Sequence, residues 1–414
     1  MPLDSIAGAN IVLGVTGGIA AYKAVELLRL LEKQNAVVTP VLTKGATRFV
    51  SELTFNALCS TKAYSSLIDY DEPILHTKLG KNADLILVAP ATARLIGTYA
   101  AGIASDLLTS VLIATNAPVI VCPAMHTEMY ENIAVQENLA TLKRRKVIVV
   151  DSEYGRLAQN DVGKGRLASL DTILAVVKRT LMSHTSLSDK TVTVTAGGTK
   201  EYVDPVRFIS NKSSGKQGIA IALEAYYRGA TVNLVSTVVG IPDYLYGLEN
   251  FNIYHVETAQ QMSEKVLELS HFSNLVIMAA AVADFRVANE SRLKIHRQEG
   301  TPKLELVPTV DIISELVTLR SKSVTKNSNS IFKHQKIIGF AAETDNLDER
   351  ALAKLKNKNV DFLVANDVSK ADIGFDSDLN AVSIYNRGGL IKHVAKKNKH
   401  EVAAEILDVY ESEI

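Results

Sequence analysis

Residues 204–218, DPVRFISNKSSGKQG, gather the side chains best suited to anionic chemistry in this chain. They lie between an apolar stretch at 192–195 with the pair Gly197-Gly198 and an apolar-periodic stretch at about 217–227. Arg, Asn, Lys, Ser and Gly there offer fixed positive charge, hydroxyls and backbone N–H groups at one predicted helix N-terminus. That combination suits phosphates and other anions. A polar surface loop is the competing reading. A second glycine turn, Thr16-Gly17-Gly18, falls between a predicted strand at 11–15 and a predicted helix at 20–31. Its amides and the Thr16 hydroxyl can face a phosphate. The full G-x-G-x-x-G spacing is absent, which disfavours NAD and leaves a mononucleotide such as FMN open.

Other chemistry-bearing residues fall at predicted strand ends. Residues 89–93, APATA, follow a strand at 85–89, and open α/β sheets bind ligands outside the carboxyl ends of their strands. Thr92 is placed to bond a ligand or to cap the next helix. His126 follows Pro123-Ala124-Met125 after a strand at 117–122. His76 is a candidate general base because imidazole titrates near neutrality, although a lone histidine is more often structural or exposed. Residues 279–284, AAAVAD, follow a strand at 275–279, and Asp284 is either a nucleotide or metal contact or a helix N-cap. Lys354 and Lys358 fall one turn apart on one face of a helix predicted at 347–358.

The elements that position these residues repeat one plan. Further strands are predicted at 36–42 and 147–150, then at 191–195, 231–235, 336–340 and 362–365, with helices at 219–227 and 259–269. Apolar β-branched strands alternating with amphipathic helices argue a doubly wound α/β sheet. The polar, serine-rich 182–190 reads as a linker between a domain at 1–181 and one at 191–414. The Ser/Asn/Lys run at 321–330 reads as a solvated loop, with a mobile flap as the functional alternative.

The chain has 414 residues, enough for two or three domains, and a formal net charge of +0. No bulk field recruits nucleic acid or a membrane. Two cysteines, Cys59 and Cys122, cannot build a disulfide framework, and their scarcity suits a reducing cytoplasm. No signal peptide or membrane span is read from the sequence.

GVTGGIAAYK, HTKLGKNADLILVAPATA and PAMHTEMY resemble the flavin-dependent cysteine decarboxylases. From about residue 10 to near the C-terminus, the chain resembles the bacterial bifunctional phosphopantothenoylcysteine decarboxylase/phosphopantothenate–cysteine ligases of coenzyme A synthesis. The resemblance implies two Rossmann-like domains, the first a flavodoxin-like flavin domain and the second a ligase domain. It implies FMN held by Thr16, Gly17, Gly18, Thr43, Ala89 and Thr92, with His76 beside the substrate carboxylate and thiol. A flavin oxidises the thiol to a thioaldehyde, whose C=S accepts the electrons as CO2 departs. Two positions depart from the family. His126 stands where Asn is usual, and Gln159 stands where a cysteine proton donor is usual. His126, Asp161 or water are the candidate replacements, and loss of decarboxylation is the alternative.

In the second half the resemblance implies a CTP-dependent ligase. Asn211 would hold an acyl-cytidylate. Met278, Ala279, Ala280, Asp284, Val310, Asp311, Ile312, Ile313, Lys354 and Lys358 would contact the nucleotide, and Phe340 would pack on its base. Lys294 matches the first lysine of a lysine-rich loop, with His296 and Arg297 replacing the others. Mg2+ would sit at Asp284. The substrates implied are 4'-phosphopantothenate, cysteine and CTP. The assembly implied is a homo-oligomer, trimeric through the flavin half and dimeric through the ligase half, giving a dodecamer. A non-catalytic flavin-binding scaffold is the remaining alternative.

Overall fold

Buried apolar strands organise both halves of the computed structural model. It describes residues 6–67, 72–158, 161–182, 187–299, 302–326, 331–343, 347–367 and 377–413. The chain divides into two compact units, Met1–Met182 and Ser183–Ile414.

The first unit is built on five parallel strands: β1 (Asn10–Val15), β2 (Val37–Leu42), β3 (Leu85–Ala91), β4 (Val119–Pro123) and β5 (Ile148–Val149). Every residue of β3, LILVAPA, is buried, because helices cover both faces of the sheet. The helix Tyr22–Lys33 shows why it covers one of them. Ala24, Leu27, Leu28 and Leu31 recur at helical spacing, and all are buried. The strand order is β2-β1-β3-β4-β5, the flavodoxin-like order, which opens a crevice between β1 and β3. The strand expected at 147–150 narrows to two residues.

A hairpin of β6 (Glu153–Arg156) and β7 (Val162–Arg166) follows. It carries the flap read from the sequence, but Gln159 and Asn160 lie outside the described residues. The helix Leu170–Met182 closes the unit, so Met182 belongs to a helix rather than a linker. Leu187, also expected in that linker, is fully buried.

The second unit holds an eight-stranded sheet: β8 (Thr191–Ala196), β11 (Thr231–Ser236), β12 (Phe251–His255), β13 (Leu275–Met278), β16 (Lys336–Glu343), β17 (Phe362–Asp367), β18 (Leu379–Asn386) and β19 (Gly389–Asn398). Its order is β12-β11-β8-β13-β16-β17-β18-β19. The first six strands are parallel and follow the Rossmann order, reversing between β8 and β13. The last two pair antiparallel, and the sequence reading missed them. β19, GLIKHVAKKN, is a polar edge strand with little apolar signal.

Two short ribbons complete the unit. β9 (Lys200–Asp204) pairs with β10 (Arg207–Ser210), so part of the stretch read as a loop at 204–218 is a hairpin. β14 (Phe285–Val287) pairs with β15 (Leu306–Pro308). The run at 321–330 is also corrected. Residues 321–326 end the helix Ile312–Lys326, and 327–330 lie outside the described residues. Serine and lysine are tolerable helix formers on an exposed face, which composition alone had read as loop.

Candidate active sites

In the first unit, Thr16 spans the crevice between β1 and β3. Its hydroxyl donates to the Pro90 carbonyl at 2.8 Å and accepts from the Thr92 amide at 3.0 Å. Thr16 is buried, so these bonds hold the two strand ends in fixed register. Thr92 occupies the N-cap position of the helix Ala93–Ala100, but its hydroxyl makes no cap bond. Thr43 ends β2's return to the same rim. Its amide donates to the Val15 carbonyl at 3.0 Å and its hydroxyl accepts from Ala46 at 3.3 Å. A Cβ on Gly17 would lie 2.6 Å from the Gly45 carbonyl carbon, so only glycine lets these turns meet. Ala89 is fully buried before the cis Ala89-Pro90 peptide.

His76 is the second residue of the helix Leu75–Asn82. Its Nδ1 is buried without a hydrogen-bond partner, one of two such side-chain atoms among the described residues. A buried nitrogen left so is costly unless a ligand completes it. Such an unmatched buried nitrogen fits a place that takes a bound group.

His126 sits at the carboxyl end of β4 and caps the helix Thr127–Glu131. Its Nδ1 lies 2.5 Å from Glu128 Oε2, and its Nε2 lies 3.1 Å from Asp161 Oδ2. The hydrogen bond to Glu128 is the main cause that raises the His126 pKa, with Asp161 adding to it. The β6–β7 hairpin brings Asp161 there by close backbone approach. Met125 donates to the Gly165 carbonyl at 3.0 Å, and a Cβ on Gly165 would lie 2.2 Å from the Met125 carbonyl oxygen. Cys122 is fully buried in β4, and burial pushes its thiol well above the usual range, so it supplies no proton.

In the second unit a cavity of about 480 Å³ opens at the reversal between β8 and β13. Its wall gathers Asn211, Met278, Ala279, Ala280, Asp284, Val310, Asp311, Ile312, Ile313, Phe340, Lys354 and Lys358. Residues more than a hundred positions apart thus share one rim. The turn at 279–284 is pinned by two buried threonines to which the sequence reading gave no such bonds. Thr195 Oγ1 accepts from Ala280 N at 3.0 Å, and Thr199 Oγ1 accepts from Ala283 N at 2.9 Å. Buried threonines at a strand end beside a glycine pair were the available signal.

Asn211 clamps the same turn from the other side. Its amide nitrogen donates to the Val282 carbonyl at 3.0 Å and to the Ala281 carbonyl at 3.4 Å. A Cβ on Gly198 would lie 2.6 Å from the Asn211 carbonyl oxygen, so Gly198 is what admits Asn211.

Asp284 caps no helix, because β14 follows it directly. The cap is Asp311, which accepts from Ser314 N at 3.2 Å and Ser314 Oγ at 2.7 Å ahead of the helix Ile312–Lys326. Asp311 also pairs with Lys358. Burial would raise its pKa, but the bonds from Lys358 and Ser314 outweigh that and hold it low. Ile312 is buried in the core beside the cavity.

Lys294 is exposed and is not part of the cavity wall. Its neighbour Ile295 is tied down at both ends. Ile295 N donates to Asp204 Oδ2 at 3.2 Å, and Arg207 donates to the Ile295 carbonyl at 2.6 Å. No group of three or more metal-ligating side chains occurs among the described residues. A hard divalent ion that keeps waters and phosphate oxygens needs only one or two carboxylates, so Asp284 alone is compatible with Mg2+. No helix among the described residues is long and apolar enough to cross a membrane.

A flavodoxin-like sheet and a lysine-lined cavity at a Rossmann switch point define a two-unit, doubly wound α/β protein. Residues 2–182 match the family model described as Flavoprotein, and residues 187–413 match DNA/pantothenate metabolism flavoprotein, C-terminal domain. The coenzyme A biosynthesis bifunctional protein CoaBC of Bacillus subtilis (strain 168) is 41% identical over 402 residues, covering 96% of this chain and 95% of its own. Its namesake from Haemophilus influenzae is 38% identical over 404 residues, covering 97% and 96%. A crystal structure of the C-terminal domain of such a protein is 36% identical, covers 54% of this chain and 95% of its own, and has a TM-score of 0.41. The chain belongs to the family of bifunctional coenzyme A biosynthesis proteins, which join a phosphopantothenate–cysteine ligase to a flavin-dependent phosphopantothenoylcysteine decarboxylase.

Proposed function

We propose that the second unit couples 4'-phosphopantothenate to cysteine with CTP, and that the first decarboxylates the product to 4'-phosphopantetheine. The observation that carries the ligase assignment is the convergence of Asn211, Asp284, Phe340, Lys354 and Lys358 on one cavity. A carboxylate is a poor acyl donor. Its oxygen attacks the α-phosphorus of CTP, pyrophosphate leaves, and an acyl-cytidylate forms. The cysteine amine then attacks the acyl carbon, loses a proton and expels CMP. Lys354 and Lys358 balance charge developing on the phosphates, and Asp284 holds Mg2+ among them. Phe340 stacks on the base. Asn211 presents its side-chain oxygen to the intermediate while its nitrogen fixes the 279–284 turn. Lys294 meets the acyl-phosphate oxygens when substrate draws its loop inward.

In the first unit, Thr16, Gly17, Gly18, Thr43, Ala89 and Thr92 would hold FMN, which supplies the two-electron chemistry of thiol oxidation and its reversal. His76 binds the substrate beside the carboxylate that leaves. His126, bonded to Glu128 and Asp161, donates the proton that the cysteine at position 159 would give in relatives of the usual pattern. The bond to Glu128 raises its pKa, so His126 holds its proton to higher pH than an unperturbed imidazole and loses it as pH rises through that raised value. Glu128→Gln removes the main cause of the shift. The alkaline limb of the CO2-to-product pH profile should therefore move to lower pH. An unmoved limb would exclude His126 as the donor.

The two-step assay tests the whole reading. With CTP, cysteine and 4'-phosphopantothenate, pyrophosphate and CO2 are followed separately. Pyrophosphate without CO2, from protein that has retained flavin, would leave a ligase fused to a silent flavin half. Neither product would leave the scaffold reading. We also infer a cytoplasmic dodecamer. Light scattering at the mass of a monomer would overturn it.

A further inference from the structure

Asp204 is fully buried at the tip of the β9–β10 hairpin, and its two carboxylate oxygens act on different parts of the chain. Oδ1 accepts from the backbone N–H of Val206 at 2.8 Å and of Arg207 at 2.9 Å, which closes the hairpin's own turn. Oδ2 accepts from Ile295 N at 3.2 Å, 91 positions on. The bonds to Oδ1 are enough to make the turn, since asparagine closes such turns as well as aspartate does. The bond to Oδ2 instead holds the loop that carries Lys294.

Further contacts join that loop to the hairpin. Ser291 N donates to the Val203 carbonyl at 3.0 Å, and Arg207 donates to the Ile295 carbonyl at 2.6 Å. Ser291 Oγ donates to the Leu293 carbonyl at 2.6 Å, which tightens the span between the two anchors. Lys294 therefore stands in a short span, 292–294, pinned on one side to Val203 and on the other to Asp204. The same hairpin runs to Ser210, and the next residue, Asn211, bonds the Ala281 and Val282 carbonyls of the cavity turn. One arm thus carries the Lys294 loop at its tip and Asn211 at its base. When substrate draws the loop inward, tip and loop move as one body rather than as a free coil. Ordering that backbone beforehand lowers the entropy lost when the lysine meets its partner.

We propose that Asp204 is a positioning residue of the ligase reaction, which through Ile295 sets where the Lys294 backbone stands relative to Asn211 and the cavity. The inference rests on the reading of Lys294 as a contact of the acyl-phosphate oxygens and adds to it the group that aims this lysine. Asp204 acts through Lys294 and touches no substrate itself.

Asp204→Asn separates the two roles of the carboxylate. The asparagine oxygen in place of Oδ1 keeps the turn, while its nitrogen in place of Oδ2 sets one N–H against the N–H of Ile295. In the full-length protein, pyrophosphate release at saturating CTP, cysteine and 4'-phosphopantothenate should fall by about ten- to a hundredfold, the loss that a small misplacement at a reacting centre brings. Calorimetric CTP affinity should stay within about threefold, because no residue of 291–297 is among the described residues of the cavity wall. In a Lys294→Ala background, followed under single-turnover conditions where slow rates remain measurable, Asp204→Asn should cost less than about threefold more. Pyrophosphate release within about threefold of the unmodified protein, CTP affinity lost along with the rate, or an undiminished further loss in the Lys294→Ala background would overturn the proposal. Should Asp204→Asn fail to fold, Ile295→Pro removes the same bond from the loop side and carries the same expectation. Lys294→Ala with an unchanged rate would instead overturn the reading of Lys294 itself.

Discussion

Asn211→Asp should slow CTP-dependent pyrophosphate release by about a hundredfold or more, the size of effect seen when one preorganised polar group is lost from a reacting centre. The amide nitrogen that donates to the Ala281 and Val282 carbonyls becomes an oxygen facing two oxygens. The remaining negative charge meets the phosphate of the acyl-cytidylate. Asn211 is exposed, so the fold should survive, and the thermal midpoint should shift by only a few degrees. CO2 release from supplied phosphopantothenoylcysteine should not change, because that chemistry belongs to the other unit. Asn211→Ala separates the two effects. It removes the clamp without adding charge, so it should be less damaging than Asn211→Asp. Pyrophosphate release within threefold of the unmodified protein would remove Asn211 from the site.

His76→Leu is expected to lower CO2 release by about a hundred- to ten-thousandfold, the range for losing a positioned acid–base group. It should do so without lowering stability. Ordinarily, removing a partly buried histidine costs hydrogen bonds. Here Nδ1 is buried without a partner, so leucine relieves a desolvated atom. A site tuned for a ligand carries such a cost in its free state. The thermal midpoint should hold or rise, the flavin absorbance should persist, and pyrophosphate release should be unaffected. A sharp fall in midpoint with activity retained would return His76 to a purely structural role.

The Arg228 cluster shows how a buried charge in this chain is otherwise handled. Arg228 bonds Glu224 at 2.9 Å, Asp408 at 2.7 Å and Glu411 at 2.7 Å. Its guanidinium is fully engaged and lies apart from the cavity wall, so it serves the fold. The contrast with the orphaned His76 nitrogen supports reading the latter as functional.

Local pattern made much of this protein legible. β3 is continuously apolar because both its faces are covered. The helix at 347–358 has the bounds its periodicity predicts. The glycine turns mark both switch points, since only glycine tolerates the close approaches found at Gly17 and Gly198. The stretches at 204–218 and 279–284 and the residues Phe340, Lys354 and Lys358 singled out by motif come together around the second cavity.

What the tertiary structure alone decided are the pairings across long sequence separations. Asn211 meets Val282 71 positions on, and Lys358 meets Asp311 47 positions back. Thr16 fixes Pro90 and Thr92. The strands β18 and β19 brought Lys399 to the rim, yet their polar edge left little signal. Hydrophobic period reports which face of one element is buried, and it is a local quantity. Which strand lies beside which is set by the packing of the whole sheet. Only that packing makes Asp311 rather than Asp284 the helix cap, and it gives His126 two carboxylates in place of a solvated imidazole.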